Sequence, residues 1–552
     1  MNTSHQSPST KPLVLPIVSP FLLSEMRREV EDVVELMQNI QSRLTVKEAA
    51  QTSVLSKSWL HAWSTFPNLR FDVGRGKSMK LVDVERTLVR YHRDNTPIKK
   101  FDLKIDIENQ ESASQAEKWI GHVATKTCLK EISLSLLLWG ASFRLPDEIL
   151  ASENLNKIRV SAPRIHPNSV WMTMTNPVIK CVSSLRELHL EGVSISEEAL
   201  HHILLSCRLL EKIELLHSCE GFKTIKIKNL PRLYELNISF VSLYENSTAL
   251  EISDVPKLGV FSYYRLDVFQ SHFPLVIEPL NSHSISMRKV RRLMLGDVIT
   301  DNTCLDMIKS GFPFLVSLTL GLTYWKLGTF HFTSSSIKRL VLHSCPHTLI
   351  DLQVHAPKLL IFDLSGETLP SLSFPVSSLK QLRVSLGIER LVDASFFLNM
   401  REALSLSHKC DLDIQFNSPL DVNIDIDDLR TRLMFPPATN VQELRFQTTE
   451  DECMWEQSPF FDAFFEICHP KCVYAKPDDH FNHNNHFCRL MLREVLEKKT
   501  TTTGIVYWPH YLKHVQIKQP LDQKWETLTN SHRSFLDGST PDVYLYFNLN
   551  WC

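Results

Sequence analysis

One apolar frame, L-x-x-L-x-L with aliphatic substitutions, recurs along the middle of the chain. Successive frames are 25, 23 and 25 residues apart from Leu185 to Leu258, and 25, 22, 22 and 20 residues apart from Val290 to Leu379. Periods of roughly 20–29 residues are typical of leucine-rich repeats. The twelve frames begin at Leu129, Leu155, Leu185, Leu210, Leu233, Leu258, Val290, Leu315, Ile337, Leu359, Leu379 and Val441.

Each frame predicts a short strand whose alternate residues point inward. A single repeat cannot bury its own leucines, so neighbouring repeats must stack on it. We therefore expect an α/β solenoid with a curved parallel sheet and outer helices and loops. The stretch from Leu185 to Leu215 contains one complete unit, in which Ala199, Ile203 and Leu204 have helical spacing between two strands.

Three other features of the repeat region bear on its interpretation. The gaps from Leu258 to Val290 and from Leu379 to Val441 exceed one repeat and fit either degenerate units or insertions. The stretch "LPDEIL" from Leu145 precedes a frame, so we interpret it as a connection between repeats. Cys345 follows a frame where this repeat type places Asn or Cys, which predicts a structural thiol rather than a reactive one.

Composition excludes several classes of function. Sixty basic and 62 acidic side chains in 552 residues give a net charge of −2, which removes the broad basic field that nucleic acids or anionic membranes require. The 12 cysteines have no paired spacing and indicate free thiols in a reducing compartment. The apolar run "PLVLPIVSPFLL" is too short for a membrane span. With no phosphate-binding or nucleophile motif, we expect a protein that is not an enzyme.

The N-terminal part predicts a small helical module. In "VEDVVELMQNIQSRL", an apolar stripe contains Val30, Val33, Val34, Met37, Ile40 and Leu44. Thr45 and Glu48 form a capping-box pair that begins a second helix. We expect that helix to carry an apolar face and to end at Pro67, the face being formed by Ala50, Val54, Leu55, Trp59 and Trp63. Such a module could cover the first open edge of the solenoid.

The stretch "LTVKEAAQTSVLSKSWLHAWSTFPNLRFD", residues 44–72, resembles the second half of the plant F-box. The repeats, with their "LLSC", "LPRL" and "APKL" phrases, resemble the plant F-box/leucine-rich-repeat family, as do the late stretches "FFEICHPKCV", "YWPHYLKHVQI" and "VYLYFNLNWC". The resemblance implies a substrate-recognition subunit of an SCF-type E3 ubiquitin ligase. Its F-box would dock on a Skp-type adaptor of the cullin-based ligase, and its solenoid would bind the target protein. We expect adaptor contacts from Leu36, Met37, Ile40, Leu44, Val54, Leu55 and Trp59.

The module departs from the family pattern at its beginning. Family members usually open the F-box with a Leu-Pro pair, whereas Asp32 and Val33 occupy those positions here. Proline would end an upstream helix, and this sequence contains no such breaker. The alternative is therefore a non-catalytic binding scaffold whose degenerate F-box no longer docks the adaptor.

The target-binding surface is expected on the concave side of the sheet. Residues between the inward leucines face that side because side chains alternate along a strand. The polar residues placed there are Glu187, His189, Glu191, Lys212, Glu214, Glu235, Asn237, Arg292, Arg339, His343, Gln381 and Arg383. From these we select as target-binding residues Glu187, His189, Lys212, Glu214, Arg292, Arg339, His343 and Arg383.

One late segment is rich in potential zinc ligands, namely Cys468, His469, Cys472, His480, His483, His486 and Cys488. Their spacing fits no standard zinc template, so we interpret the segment as a strand end and a polar loop. A metal-dependent enzyme remains a distant alternative. We therefore expect no metal, no cofactor, and neither nucleic acid nor a membrane as partner.

The sequence thus predicts five regions. Residues 1–24 form a flexible lead-in, 25–72 an F-box-like helical module, 73–97 a connection, 98–450 the leucine-rich-repeat solenoid, and 451–552 an irregular C-terminal cap. We expect the protein in the nucleus, the cytoplasm or both.

Overall fold

The structure is a computed structural model that divides after Val170 into two compact units. The residues it describes are 33–44, 46–77, 79–126, 128–139, 142–163, 172–174, 178–217, 222–242, 249–267, 285–296, 299, 301–375, 379–388, 392–416, 424–448, 458–475, 484–497, 508–519, 524–536 and 544–552. Among the described helices, none is both long enough and apolar enough to cross a bilayer.

The helical module contains a helix over 33–41 followed by Val46–Thr52 and Lys57–Ser64. The prediction of one helix continuing towards Pro67 was wrong, because turns over Ser53–Leu55 divide it. Ser56 has extended backbone and its side chain accepts a hydrogen bond from the Trp59 backbone N–H at 3.3 Å, so it begins a separate helix. Thr45 and Asp32, which entered the sequence argument, lie outside the described residues.

The parallel sheet of the N-terminal unit begins directly after this module. Its strands pair in chain order and are Asn68–Val73, Lys100–Ile107, Glu131–Leu138 and Lys157–Ser161. The intervening elements are the helices Leu81–Arg93 and Gln110–Ala124, the short strand Phe143–Arg144 and the 3-10 turn Asp147–Ile149. That turn lies within "LPDEIL", residues 145–150, between two strands, so the interpretation of this stretch as a connection is confirmed. The first strand begins within 25–72 and ends at Val73, ahead of the boundary expected at residue 98.

The C-terminal unit continues the same pattern with twelve parallel strands among its described residues, each paired with the next. They are Glu187–Glu191, Lys212–Leu216, Glu235–Ser242, Val260–Asp267, Arg292–Gly296, Ser317–Gly321, Arg339–Cys345, Ile361–Gly366, Gln381–Ile388, Lys409–Phe416, Val441–Thr448 and Cys472–Ala475. Buried and more exposed residues alternate along them, as in Lys212–Leu216 and Gln381–Ile388. Across the two units, each of the twelve frames contains a strand, and the predicted leucine-rich-repeat fold is confirmed.

Strand pairing resolves the two long gaps. Val260–Asp267 pairs directly with Arg292–Gly296, so no strand of this sheet separates them. The gap before Val441 does contain a further repeat strand, Lys409–Phe416, which pairs with strands on both sides. The gap before Val290 is therefore an insertion, and the gap before Val441 contains a degenerate repeat.

Short strands and helices form the second layer. The short strands pair in parallel and are Met172–Met174 with Val193–Ile195, Thr224–Lys228 with Ala249–Ser253, and Thr329–Thr333, Asp351–His355 and Ser371–Ser373. The helices are Glu197–Ser206, Asn302–Gly311, Ala394–Leu404 and Ile426–Arg432, with 3-10 turns at Cys181–Ser183 and Ile285–Lys289. The predicted helix after Leu185 is confirmed, and its Ala199, Ile203 and Leu204 are buried.

The C-terminal part is more regular than expected. It contains helices Ser458–Ile467 and Asn484–Glu497, 3-10 turns Trp508–Tyr511 and Asn530–Phe535, and strands Leu512–Lys518, Glu526–Thr527 and Tyr546–Trp551. Tyr546–Trp551 pairs antiparallel with both Cys472–Ala475 and Leu512–Lys518. Antiparallel pairing ends the repeat ladder and covers the edge of its last parallel strand.

Candidate functional site

The helical module exposes a group of large apolar side chains, here called the module face. Val54 is 85% exposed, Leu55 70% and Leu36 61%. The other members are Val33, Ile40, Leu44 and Leu60, all of which are also exposed. Contiguous exposed apolar residues rimmed by polar ones are typical of protein interaction sites.

Hydrogen bonds on the other side of helix 33–41 fix which residues point outward. The Gln38 side chain donates to the backbone carbonyls of Ala62 and Thr65 at 3.3 and 3.1 Å. Gln41, one turn further along the same side, is buried and donates to Thr52 Oγ1 at 2.9 Å. These bonds turn Gln38 and Gln41 inward. Val33, Leu36 and Ile40, on the opposite side, are left exposed.

The predicted adaptor-binding residues fall into two groups. Leu36, Ile40, Leu44, Val54 and Leu55 belong to the module face, whereas Met37 and Trp59 are half-buried. The predicted apolar stripe thus splits, with Val34 and Met37 turned inward and Val33 outward.

Leu60 is 52% exposed and was missed by the sequence analysis. The sequence did indicate that Leu60 is exposed, because it lies outside the i+4 series of Trp59 and Trp63. An apolar residue on the polar side of a helix is a candidate contact residue.

The polar face of the C-terminal sheet contains a network of five side chains on three neighbouring strands. His189 Nδ1 lies 2.8 Å from Glu214 Oε2, and Lys212 Nζ lies 3.2 Å from Glu214 Oε1 and 2.8 Å from Glu235 Oε1. Asn237 donates to Glu214 and Glu235, both at 3.0 Å. Parallel register causes this arrangement, because His189 and Asn237 are both aligned with Glu214.

Hydrogen bonds within this network stabilise the charged forms of Glu214 and Lys212. The hydrogen bond with His189 lowers the pKa of Glu214 to about 2, although burial opposes the shift; Asn237 and Lys212 add to the lowering. Burial acts to lower the pKa of Lys212, but its bonds with Glu235 and Glu214 outweigh burial and raise it. Groups that already satisfy one another in this way have little left to offer a partner.

A second set of polar residues lies further along the same face. Arg339 pairs with Asp363 at 2.6 Å, and Arg383 with Asp411 at 3.3 Å, while both guanidinium groups stay nearly half exposed. His343 Nδ1 lies 3.0 Å from Ser365 Oγ.

Arg292 and Glu187 complete the predicted target-binding residues. Arg292 is exposed and forms no ion pair with another described residue. Glu187 is half-buried and aligned with Lys212 on the next strand. The predicted residues therefore divide into a mutually bonded group around Glu214 and a more exposed, arginine-rich group.

The described members of the late Cys/His segment have separate environments. Cys468 is buried and its thiol donates to the Phe464 carbonyl at 3.3 Å, while His469 stacks on Trp551 at 4.0 Å. Cys488 lies against the backbone of Leu545. Burial raises the pKa of the Cys472 and Cys488 thiols to about 12. His480 and His483 lie outside the described residues, as does the side chain of His486. Among the described residues, no group of His, Cys, Asp and Glu is arranged to hold a metal ion.

Cys345 is likewise buried, at the end of its strand. Burial raises the pKa of its thiol to about 12, and a thiol that stays protonated is a poor nucleophile. The structure therefore supports the prediction of a structural cysteine.

Comparison with known proteins matches the leucine-rich-repeat part of this architecture. A family model for the leucine-rich-repeat domain of At1g61320/AtMIF1 matches residues 89–319. The F-box/LRR-repeat protein At3g59210 of Arabidopsis thaliana is 26% identical over 407 residues, which are 68% of this chain and 76% of that protein.

Two other relatives from Arabidopsis thaliana match shorter stretches. The F-box/LRR-repeat protein At3g59200 is 27% identical over 44% of this chain and 46% of its own length. The F-box/FBD/LRR-repeat protein At1g13570 is 25% identical over 47% of this chain and 61% of its own length. The chain thus spans about half the length of several of the relatives it matches.

Proposed function

Because the chain belongs to the plant F-box/leucine-rich-repeat family, we propose that it is a substrate-recognition subunit of an SCF-type E3 ubiquitin ligase. In this proposal the module face docks on a Skp-type adaptor, and the polar face of the leucine-rich repeats binds the protein to be ubiquitinated. The nucleus and cytoplasm are the compartments in which we expect this to occur.

The observation that carries the proposal is the exposure of the module face. Seven large apolar side chains stay in contact with water on a module of three short helices. Burying one such side chain is worth about 1.5–3 kcal/mol, so an unpartnered group of this size favours a bound state. Adaptor docking is the association that would bury it.

No bond-making step belongs to the chain in this proposal. It would hold a target beside a ligase whose chemistry occurs on other subunits, so its contribution is a raised effective concentration. The exposed arginines at 292, 339 and 383 are the target contacts we favour. Arginine is enriched at the energetic centres of interfaces. Arg339 and Arg383 each pair with an aspartate but stay nearly half exposed, whereas Lys212 and the carboxylates bonded to it are far less exposed.

Adaptor docking is tested by titrating a purified Skp-type adaptor into the full chain in a calorimeter. We expect Leu55→Ala to weaken binding by about 2 kcal/mol or more, since buried aliphatic anchors carry much of the energy of an interface. Val89→Ala is the matched control, because Val89 is a similarly exposed aliphatic residue on helix Leu81–Arg93. Equal affinity of the Leu55 variant and the wild type would exclude this face as the docking site.

One observation favours the alternative of a scaffold without adaptor. Val33 is helical and 49% exposed at the position where family members carry the proline of the Leu-Pro pair. If the wild-type chain gives no heat with the adaptor at micromolar concentrations, the scaffold replaces the receptor. Val33→Pro would then be expected to restore binding if the missing proline alone is responsible.

A further inference from the structure

The N-terminal unit contains a cavity of about 490 Å³, to which the module face contributes one residue, Leu44. It lies among the module helices, strand Asn68–Val73 and helix Leu81–Arg93. Its apolar lining consists mainly of Trp63, Phe66, Leu69, Phe71, Met79 and Tyr91. Cavities of roughly 300–1,000 Å³ with apolar walls and a few polar groups are typical of small-molecule sites.

One wall presents a buried acceptor without a donor. Gln41 is 2% exposed, and its Nε2 donates to Thr52 Oγ1 at 2.9 Å and to the Trp59 carbonyl at 3.4 Å. The Thr52 hydroxyl donates its own hydrogen to the Ala49 carbonyl at 2.6 Å, so it can only accept from Gln41. This fixes the orientation of the amide. Gln41 lines the cavity, and its buried Oε1 accepts no hydrogen bond from a described residue.

Another wall presents a cation without a counter-ion. Three basic residues line the cavity, and two of them are neutralised: Arg70 pairs with Asp102 at 2.9 Å, and Lys100 with Glu131 at 2.8 Å. Arg90 pairs with no carboxylate of the described residues, and its buried Nε has no acceptor among them. A buried unsatisfied donor costs about 1–3 kcal/mol.

The neighbouring Tyr91 contacts Arg90 but supplies no full negative charge. Its hydroxyl donates to the Phe66 carbonyl at 2.8 Å, and the Arg90 guanidinium lies 5.3 Å from the centre of its ring. Burial raises the pKa of Tyr91 and outweighs the opposing effect of Arg90, so the phenol stays neutral. The cavity thus combines aromatic walls, one guanidinium that has no carboxylate partner among the described residues, and one buried acceptor that lacks a donor among them.

We propose that this cavity binds a small apolar molecule that carries one anionic group and one hydrogen-bond donor. The anion pairs with the Arg90 guanidinium, the donor bonds to Gln41 Oε1, and the apolar body packs against the aromatic walls. This site is independent of the ligase role, because its polar groups belong to neither the module face nor the polar face of the repeats.

Two matched fluorescent probes test the proposal on the purified full chain. 8-Anilinonaphthalene-1-sulfonate carries an aromatic body, an N–H donor and a sulfonate, and N-phenyl-1-naphthylamine is the same skeleton without the sulfonate. We expect the wild type to bind the anionic probe roughly tenfold more tightly than the neutral one, because only the sulfonate can form a charge-assisted bond with Arg90. Equal affinity for the two probes would overturn the proposal without any variant.

Variants then locate the binding. Arg90→Gln should abolish the preference for the anionic probe while leaving the neutral one bound. Arg86→Gln, an exposed change on the same helix that does not line the cavity, should leave both affinities unchanged. Thr87→Phe, which adds a ring to the cavity wall, should weaken both probes. Circular dichroism and a thermal melt establish that each variant is folded.

The module face is the competing site for such dyes. If Leu55→Ala weakens the anionic probe while Arg90→Gln and Thr87→Phe do not, the dye binds the exposed apolar surface and the cavity proposal fails. If Leu55→Ala leaves the probe bound and the cavity variants weaken it, the proposal stands, whether or not the adaptor binds this chain.

Discussion

At the scale of single residues, Gly366 has its identity dictated by a neighbouring strand. Cys345 and Gly366 are aligned across the sheet where the register shifts after Leu342. A β-carbon on Gly366 would lie 2.7 Å from Cys345 Cβ and 2.9 Å from its backbone nitrogen, closer than non-bonded atoms approach. The space at this position therefore admits only a residue without a side chain.

We predict that Gly366→Ala lowers the free energy of unfolding by about 1–3 kcal/mol, the usual cost of overpacking. Urea denaturation followed by circular dichroism measures it. Gly311→Ala is the control, because nothing lies within 4 Å of its added carbon at the end of helix Asn302–Gly311. That variant should stay within about 1 kcal/mol of the wild type. An unchanged unfolding midpoint for Gly366→Ala would contradict the strand geometry.

Glu214 should make stability depend on acid pH. Its pKa falls from an ordinary 4.5 to about 2 in the folded chain. A lowered carboxyl pKa contributes stability above the unfolded-state value, and this contribution disappears as pH falls from about 5 through 2.

We predict that Glu214→Gln is less stable than the wild type at pH 7 by at most about 3 kcal/mol, and that the difference disappears near pH 2. Denaturant midpoints at pH 7, 4 and 2.5 measure it. Glu198→Gln, an exposed substitution on helix Glu197–Ser206, serves as control and should show a small difference at every pH. A difference for Glu214→Gln that stays constant across this range would show that His189 and Lys212 do not stabilise the charge.

At the scale of elements, the alternation of buried apolar side chains predicted most of the repeat strands. The repeat strand Lys409–Phe416 was missed, since its frame begins at Ser407 rather than at an aliphatic residue, and charged residues separate Cys410, Leu412 and Ile414. The strand Thr224–Lys228 shows the same alternation in Ile225 and Ile227. Whether such a strand lies in the main sheet or in the second layer depends on its neighbours, which spacing alone does not reveal.

Helix beginnings in the second layer depend on caps. Asp301 has extended backbone, and its Oδ1 accepts hydrogen bonds from the backbone N–H groups of Thr303 and Cys304 at 3.0 and 3.2 Å. A hydrogen bond from the Thr303 hydroxyl lowers the pKa of the Asp301 carboxyl group most, and the two backbone N–H groups lower it further. The sequence carries the signal, an Asp before an apolar helical pattern.

We predict that Asp301→Ala costs about 1 kcal/mol of stability, the usual loss for an N-cap. Asp306→Ala on the same helix removes an exposed carboxylate that caps nothing and should be nearly neutral. Thermal melts of the two variants side by side measure the difference. Equal melting temperatures would mean that packing of Leu305 and Ile308, rather than the cap, fixes this helix.

At the scale of the whole molecule, the C-terminal residues close the repeat ladder. Tyr546–Trp551 covers the edge of Cys472–Ala475, and Trp551 Nε1 donates to the Pro470 carbonyl at 2.8 Å. Behind these strands lies an aromatic cluster in which Phe397, Phe446 and Phe487 surround Phe461 and Phe464. An uncovered strand edge is a template for pairing with another chain.

We predict that a chain ending at residue 544 forms oligomers or aggregates, because the edge of Cys472–Ala475 is then open. Size-exclusion chromatography with light scattering measures this. A chain lacking only the exposed Cys552 is the control and should keep the mass of the wild type. If the shorter chain stays at the wild-type oligomeric state, another segment must protect the edge.

The sequence by itself predicted the repeats, most of their strands and the resemblance to a family, because a strand that buries every second residue leaves a regular spacing of apolar residues in the sequence. Only the tertiary structure decided which side of helix 33–41 faces water, which repeat strand filled the gap before Val441, and that Gln41 and Arg90 meet at one cavity. Those outcomes depend on contacts between residues far apart in the chain, such as Gln38 with Thr65. Local spacing carries no information about such partners.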